Sequence, residues 1–236
     1  MPNHITNKLE IIGTDEQIKK VLNYIKVEEN IGGENDACGL GTIDFNKIIP
    51  MSEDLLIEVP SNVETMAKVA MREEYNNNSL IAGLEADNRE HSKSPSSLDY
   101  KQWKLFIRAL NNKWTYDAYY WYDWRNKNWD TKWSAYGLLD DRTKDNIVFF
   151  KTAWSYPEKI ITKLSKIFED IEIKIWWASE DLSYNIGMRK YINGNVIDEY
   201  VPDGGSLDAK KLFFDITGDT LEEHYMNENY EYIEEE

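Results

Sequence analysis

The hydrophobic positions of the first fifty residues predict a strand, a helix and a second strand. Residues 4–12 (HITNKLEII) alternate between apolar and polar side chains, which is typical of a strand with one buried face. Thr14 opens a capping-box pattern (TDEQ), and apolar residues recur at helical spacing over residues 14–28. A second strand is predicted over residues 42–50 (TIDFNKIIP), where Pro50 ends it because proline cannot donate to a strand ladder.

The second half of the chain again shows strand patterns on both sides of a helical pattern, and it adds a hairpin. A strongly apolar strand is predicted from about Asn146 (DNIVFFKTAW), and Ser155 and Pro157 then open an amphipathic helix. Residues 171–179 (IEIKIWWAS) alternate and predict the next strand. The pair Asn193–Gly194 between two strand patterns is typical of a tight β-hairpin. The predicted order of this half is β–α–β–β.

The section between these halves has a helical pattern. One helix is predicted after Ser61, and a second over residues 98–114 (LDYKQWKLFIRALNNKW). The apolar stripe of the second helix consists of Leu98, Trp103, Phe106, Ile107 and Leu110. A polar, turn-rich segment (GLEADNREHSKSPSSLD) lies between the two. We interpret this section as a helical insertion within a sheet domain.

Joined across the insertion, the elements predict an α+β fold. Their order is that of a ferredoxin-like split βαβ sandwich, an antiparallel sheet with helices 14–28 and 157–168 on one face. The predicted organisation comprises the first half of the ferredoxin-like domain (β-α-β, residues 1–50), a central helical insertion (51–125), the second half (β-α-β-β, 126–218) and an acidic C-terminal tail (219–236).

An aromatic run leads from the insertion into the second half. Residues 116–137 (YDAYYWYDWRNKNWDTKWSAYG) hold four of the nine tryptophans and five of the fifteen tyrosines. Residues 126–128 are poor helix formers, so one continuous helix is not expected. We expect the chain to rejoin the sheet near Trp129–Tyr136, with Trp129 and Trp133 as core anchors.

Two functional interpretations of the upstream part of this run stay open beside a role in the core. Exposed tryptophan and tyrosine are favoured at protein–protein contacts. Aromatic rings can also form a stacking floor for a nucleotide or another ring. We predict Tyr119, Trp121 and Trp124 as candidate partner-contact residues.

Composition adds a strong acidic bias. The chain has 43 acidic and 27 basic residues, a formal net charge of −16, and residues 219–236 contain eight acids and no Lys or Arg. Such a field repels a phosphate backbone, so direct nucleic-acid binding is not expected, and it favours a basic or nucleic-acid-binding surface on a host protein. Glu231 and Glu234 are the predicted acidic contacts, and a merely solvated tail is the alternative.

No pattern of catalytic or cofactor-binding residues stands out. Cys38 is the only cysteine, and His4, His91 and His224 share no local motif, so no metal site and no nucleophile–base pair is predicted. The sequence has no uninterrupted stretch of about 18 apolar residues, so no membrane-spanning helix is predicted. The N-terminus lacks the pattern of a secretory signal. We therefore expect a non-enzymatic protein without cofactor or metal, located in the bacterial cytoplasm.

Four sequence blocks resemble those of a known family. The blocks MPNHITNKLEI, IDFNKIIPM, NWDTKWSAY and FFKTAWSYP are similar to signature blocks of the YubB-type ferredoxin-like family, a domain of unknown function on bacterial plasmids and phages. The resemblance implies the fold and a mobile-element setting, and no activity. In many members we expect a glycine where this chain has Asp130. If that glycine serves a special backbone conformation, Asp is among the residues best able to replace it.

These observations lead to a predicted function. We expect a phage- or plasmid-encoded accessory protein that binds a host protein, with inhibition of an antiviral defence complex as the most concrete version. The alternative is a protein that binds or sequesters a small, nucleotide-like ligand, and the third option is an enzyme of unknown chemistry.

Overall fold

A computed structural model describes residues 3–28, 39–71, 97–137 and 139–233 of the chain. The chain divides into two compact units. The first, called the core unit, comprises Met1–Pro50 and Asn128–Glu236, and the second, called the insertion unit, comprises Met51–Lys127. Among the residues singled out from the sequence, Cys38, His91 and Glu234 lie outside the described ranges.

The described residues contain seven strands and seven α-helices. The strands are β1 (His4–Ile12), β2 (Lys26–Val27), β3 (Gly39–Ile43), β4 (Ile147–Ala153), β5 (Glu172–Ser179), β6 (Ile186–Ile192) and β7 (Asn195–Tyr200). The α-helices are α1 (Asp15–Ile25), α2 (Phe45–Ile48), α3 (Ser61–Ala70), α4 (Tyr100–Tyr116), α5 (Trp121–Trp129), α6 (Glu158–Ile167) and α7 (Leu207–Thr217). None of the helices within the described ranges is long and apolar enough to cross a membrane.

The core unit is built on a five-stranded antiparallel sheet of order β4-β1-β5-β6-β7. Strand β1 pairs with β4 on one side and with β5 on the other, so β4, α6 and β5 form a split β–α–β unit with β1 between its strands. The predicted α+β sandwich is thus confirmed, including the hairpin between β6 and β7 at Asn193 and Gly194, both of which have positive φ angles.

The two faces of this sheet follow from the alternation in β1. Ile5, Leu9 and Ile11 are fully buried on the face covered by the two predicted helices, α1 and α6. The intervening side chains point to the opposite face, where α7 packs against Ala178 and Ile186. Helix α7 is absent from the elements predicted from the sequence. Its pattern was nevertheless visible, because Ser206 caps the helix and Gly218 ends it with φ 77°.

The strand predicted over residues 42–50 is wrong in its second half. Strand β3 ends at Ile43, and the chain turns into α2. The side chain of Asp44 accepts a hydrogen bond from the Asn46 backbone N–H (2.9 Å) and so caps this short helix. Phe45 and Ile48 are buried at a spacing of three, which suits a helical turn. Strand β3 pairs with β2 in a separate two-stranded sheet.

The acidic segment after α7 is partly folded within the core unit. Met226 is buried and pairs with Tyr232 in an isolated bridge. The ring of His224 lies edge-on against Phe213 and Phe214 of α7, with centroid distances of 5.3 and 5.5 Å. Glu231 is exposed. The described part of the predicted tail therefore packs on α7 through its apolar residues while its carboxylates face solvent.

Helices α3 and α4 hold the insertion unit together. Their shared cluster consists of Val63, Met66, Ala67, Phe106, Ala109 and Tyr119. Asp99 begins α4 with a capping box to Gln102, and Asp117 ends the helix in the left-handed conformation with φ 54°. The buried amide of Asn112 donates to the carbonyl oxygens of Asp54 (3.0 Å) and Tyr119 (3.2 Å). These contacts fix α4 at both ends and along its inner face.

Asp130 adopts the backbone conformation that the family resemblance suggested. Its φ is 61°, in the left-handed region that glycine enters most easily. Its carboxylate accepts hydrogen bonds from the Lys159 backbone N–H (2.9 Å) and from Lys159 Nζ (2.6 Å). Pro157, the N-cap residue of α6, makes no side-chain capping bond. Asp130 therefore caps α6 from a distant point in the chain.

A substitution series at Asp130 separates the backbone and capping contributions. Asp130→Ala is expected to cost about 2–3 kcal/mol, because it loses a cap worth about 1 kcal/mol and forces alanine into a left-handed conformation that costs about 1–2 kcal/mol. Asp130→Gly keeps the conformation and should cost about 1 kcal/mol. Denaturant unfolding monitored by circular dichroism measures both. Equal destabilisation by Ala and Gly would show that the backbone conformation contributes nothing.

Candidate functional site

The structure places the predicted contact residues in several different environments. Tyr119 is 2% exposed inside the α3–α4 cluster, and Trp124 is 9% exposed. Trp121 is half-buried, and its indole N–H donates to the carboxylate of Glu58 (3.1 Å). Burial of Tyr119 and Trp124 does not fit the contact role predicted for them. Glu231 is exposed and stays a prediction.

The aromatic run itself differs from the prediction in one respect. Helix α5 continues through residues 126–128, and the Asn126 side-chain amide donates to the Tyr122 carbonyl oxygen (2.8 Å) within it. Trp129 is fully buried, as predicted for an anchor, whereas Trp133 is half-buried. The chain does rejoin the sheet, since Tyr136 exchanges both backbone hydrogen bonds with Lys151 of β4 (3.0 and 2.7 Å).

The most exposed aromatic surface of the insertion unit lies upstream of the run, on α4. Four large side chains are exposed along this helix: Tyr100 (72%), Trp103 (42%), Ile107 (40%) and Trp114 (82%). They follow one another at steps of three, four and seven residues, and therefore lie in a row along one side of the helix. The row extends over about 21 Å at 1.5 Å per residue. We call it the α4 aromatic row.

Basic side chains flank the α4 aromatic row. Lys101, Lys104 and Arg108 are exposed and lie on one side of it at about 100° per residue. Helix α4 has four basic residues and no acidic residue. Its fourth cation, Lys113, pairs with Asp117 (2.8 Å), and hydrogen bonds from Lys113 and Lys127 lower the pKa of Asp117 to about 2. No carboxylate within the described ranges lies within ion-pair distance of the other three.

The net charge of the chain is concentrated away from this helix. Residues 51–127 contain twelve acidic and ten basic residues, whereas the rest of the chain contains 31 acidic and 17 basic residues. The insertion unit thus accounts for −2 of the total charge of −16, and the core unit for −14. The strong negative charge seen in the sequence therefore belongs to the core unit, whereas α4 is locally basic.

A second candidate site is a cleft of about 710 Å³ in the core unit, beside α7. Two of the three histidines, His4 from β1 and His224 from the C-terminal segment, line it from opposite ends of the chain. Aromatic rings of Phe149 and Phe213 contribute an apolar part. Sequence spacing gave no signal for this cleft, because strand pairing and α7 packing bring its residues together.

A short contact joins His4 and Tyr136 at one end of the cleft. The Tyr136 hydroxyl lies 2.6 Å from His4 Nδ1 and 3.1 Å from the Thr152 carbonyl oxygen. The hydroxyl has a single proton, so it donates to one of these two atoms. Burial, together with the carboxylate of Glu180, raises the pKa of Tyr136 to about 12.

Charged groups on the cleft wall are only partly paired. Arg142 Nη2 lies 2.7 Å from Asp140 Oδ2, and Arg142 Nη1 donates to the Ile216 carbonyl oxygen (3.0 Å), which ties this loop to α7. Hydrogen bonding to Arg142 lowers the pKa of Asp140. Lys151 and Glu180 also line the cleft, and no ion pair joins either of them to a side chain of the described residues. Within those same ranges, no group of three or more His, Cys, Asp or Glu residues is arranged to hold a metal ion.

Comparison with known proteins finds a family model that matches part of the chain. Residues 119–218 match the family model described as the ferredoxin-like domain in Api92-like protein. This match agrees with the split β–α–β sandwich of the core unit. It includes the blocks NWDTKWSAY and FFKTAWSYP and excludes the two N-terminal blocks. The finer assignment to a YubB-type family on mobile elements stays a prediction.

The chain was also compared with solved structures and with curated proteins. The crystal structure of protein api92 from Yersinia pseudotuberculosis is similar over 87% of this chain and 100% of that chain, at 11% sequence identity and a TM-score of 0.40. No curated protein matches this chain.

Proposed function

We propose that this protein acts without catalysis, by binding a partner protein through the α4 aromatic row. The observation on which this rests is the exposure of Tyr100, Trp103, Ile107 and Trp114 on a helix that is capped and packed along its other face. Tryptophan and tyrosine are enriched among residues that dominate binding energy, because rigid rings bury much area at little entropic cost. A well-ordered helix limits the entropy lost on binding.

The biological setting of this proposal comes from sequence. The four blocks that resemble a family of plasmids and phages support a protein encoded on a mobile element and acting on a host protein in the bacterial cytoplasm. Inhibition of an antiviral defence complex is the most concrete form of this role. The acidic core unit supports a host partner that also has a basic or nucleic-acid-binding surface.

Affinity capture from a bacterial host lysate tests the proposal. The tagged full chain and its variant Trp103→Ala/Trp114→Ala are used as baits in parallel. The proteins that each bait retains are identified by mass spectrometry. We expect at least one protein to be retained by the wild type and lost with the variant. Retention of the same proteins by both forms would contradict a role for the α4 aromatic row.

The cleft favours a second candidate function, binding of a small ligand. Lys151 and Glu180 offer opposite charges beside the His4–Tyr136 pair, and the buried rings of Phe149 and Phe213 give the wall an apolar part. A nucleotide-like ligand with a ring and charged groups fits this combination. Thermal-shift screening against nucleotides should then raise the melting temperature of the wild type and leave Lys151→Ala unshifted. A flat response of the wild type across the panel would remove this candidate.

A further inference from the structure

The spacing of the α4 aromatic row suits a helix as its partner. Tyr100, Trp103, Ile107, Leu110 and Trp114 follow one another at steps of three, four, three and four residues. This is the spacing of the contact positions in a coiled coil, where a second helix packs its side chains between those of the first. Leu110 is half-buried against the α3–α4 cluster and so joins the row to the core of the insertion unit. The row therefore presents one continuous ridge.

The charges beside the ridge suit an acidic partner. In this register Lys104 occupies the position beside the apolar contacts from which charged residues select partners in helix pairs, and Lys101 and Arg108 lie further round the same side of the helix. Lys104 Nζ lies 4.5 Å from the centre of the Tyr100 ring, which leaves its charge at the edge of the ridge. A facing helix with Glu or Asp along the matching flank would pair with Lys104 and lie in the positive field of Lys101 and Arg108.

A protein helix fits these features better than a polynucleotide or a lipid surface. The chain as a whole has a net charge of −16, which repels a long polyanion or an anionic bilayer. A single helix of about 21 Å engages only the local field of α4. From this combination we infer that the partner presents an amphipathic α-helix with an apolar stripe and an acidic flank. The inference rests on the proposed function, since it specifies the chemistry of that partner.

Synthetic peptides test this inference directly. Two labelled helical peptides of about 21 residues share the same leucine stripe, and differ only in having Glu or Lys at the flanking positions. Binding to the full chain is measured by fluorescence anisotropy. We expect the Glu peptide to bind about tenfold more tightly than the Lys peptide, with a difference that shrinks as salt rises from about 0.05 to 0.5 M. The overall charge of −16 favours the Lys peptide, so the opposite preference requires a local positive field such as that of α4.

Two double variants locate the effect. Lys104→Glu/Arg108→Glu should abolish the preference for the Glu peptide, whereas the control Lys19→Glu/Lys163→Glu, with the same change in net charge at exposed sites of α1 and α6, should leave it unchanged. A preference for the Lys peptide, no binding of either peptide, or an equal effect of both double variants would overturn the inference. So would tighter binding of oligothymidine or of phosphatidylserine vesicles that depends on Trp103 and Trp114.

These outcomes are distinct from failure of the proposed function. If affinity capture yields a partner that depends on Trp103 and Trp114 while the peptides fail, the surface is used but its partner has another chemistry. If capture shows no such dependence, the proposed function itself is wrong.

Discussion

Trp129→Ala is expected to lower the free energy of unfolding by about 3–5 kcal/mol, the largest effect on stability predicted for this chain. The side chain is fully buried in the core unit, with its ring edge-on to Phe45 at 5.6 Å between centroids. Its indole N–H donates to the Ile49 carbonyl oxygen (2.9 Å). Truncation therefore leaves a cavity and an unpaired carbonyl group, and each adds to the cost.

Denaturant unfolding of the full chain measures this effect, with two controls. Trp129→Phe keeps an aromatic ring and loses the hydrogen bond, so its cost should be smaller than that of Trp129→Ala. Trp133→Ala removes a half-buried tryptophan only four residues away and should be the mildest of the three. A cost below about 1 kcal/mol for Trp129→Ala would contradict the assignment of this residue as a core anchor.

Trp114→Ala is expected to weaken partner binding by about 2 kcal/mol, or about thirtyfold in affinity, while stability stays within about 0.5 kcal/mol of the wild type. Trp114 is 82% exposed, so little packing is lost within the chain when it is shortened. Trp103→Ala should have an effect of the same sign, with some loss of stability, because its ring packs on Phe106 at 5.4 Å. Titration calorimetry with the captured partner gives the affinities.

Tyr184→Ala is the matched control for these two variants. Tyr184 is an exposed aromatic residue (58%) of the core unit and lies outside α4. Its substitution should leave the affinity unchanged. An equal loss of affinity in Tyr184→Ala and Trp114→Ala would indicate nonspecific binding by exposed aromatic rings. It would contradict a specific role of the α4 aromatic row.

Local patterns predicted much of the core unit. The capping box at Thr14, the alternation in β1 and the Asn193–Gly194 turn each depend on residues close in sequence, and all three are present in the structure. Asp130 shows that a family expectation can indicate a backbone conformation, here a φ of 61°. Its capping of α6 was beyond prediction, because it depends on contact with Lys159 across the fold.

The sites were harder to predict, for two physical reasons. The apolar stripe predicted for the second helix of the insertion contains both buried and exposed residues. Phe106 is buried, whereas Trp103 and Ile107 are exposed. Periodicity shows that a helix has an apolar side, but the width of the contact with α3 decides how much of that side is covered. The cleft beside α7 is formed by residues far apart in sequence. The pairing of β1 with β4 and the packing of the C-terminal segment bring His4 and His224 together in its lining.

The α4 aromatic row also changes which aromatic residues of the chain are candidates for partner contact. The tryptophans of the run at 116–137 attract attention by their density, yet Trp124 and Trp129 are buried. The sparser row on α4 has the larger exposed surface. A useful signal was its charge, because α4 has four basic and no acidic residues in a chain where acids outnumber bases 43 to 27.

Site-specific photo-crosslinking in host cells tests the central claim most directly. A photoreactive amino acid is placed at Ile107, in the middle of the α4 aromatic row, and for comparison at Ile197, an exposed position on β7. We predict a discrete covalent adduct with one protein from position 107, its loss when Trp114→Ala is added, and no such adduct from position 197. The absence of an adduct at 107, or the same adduct from both positions, would contradict binding through this helix.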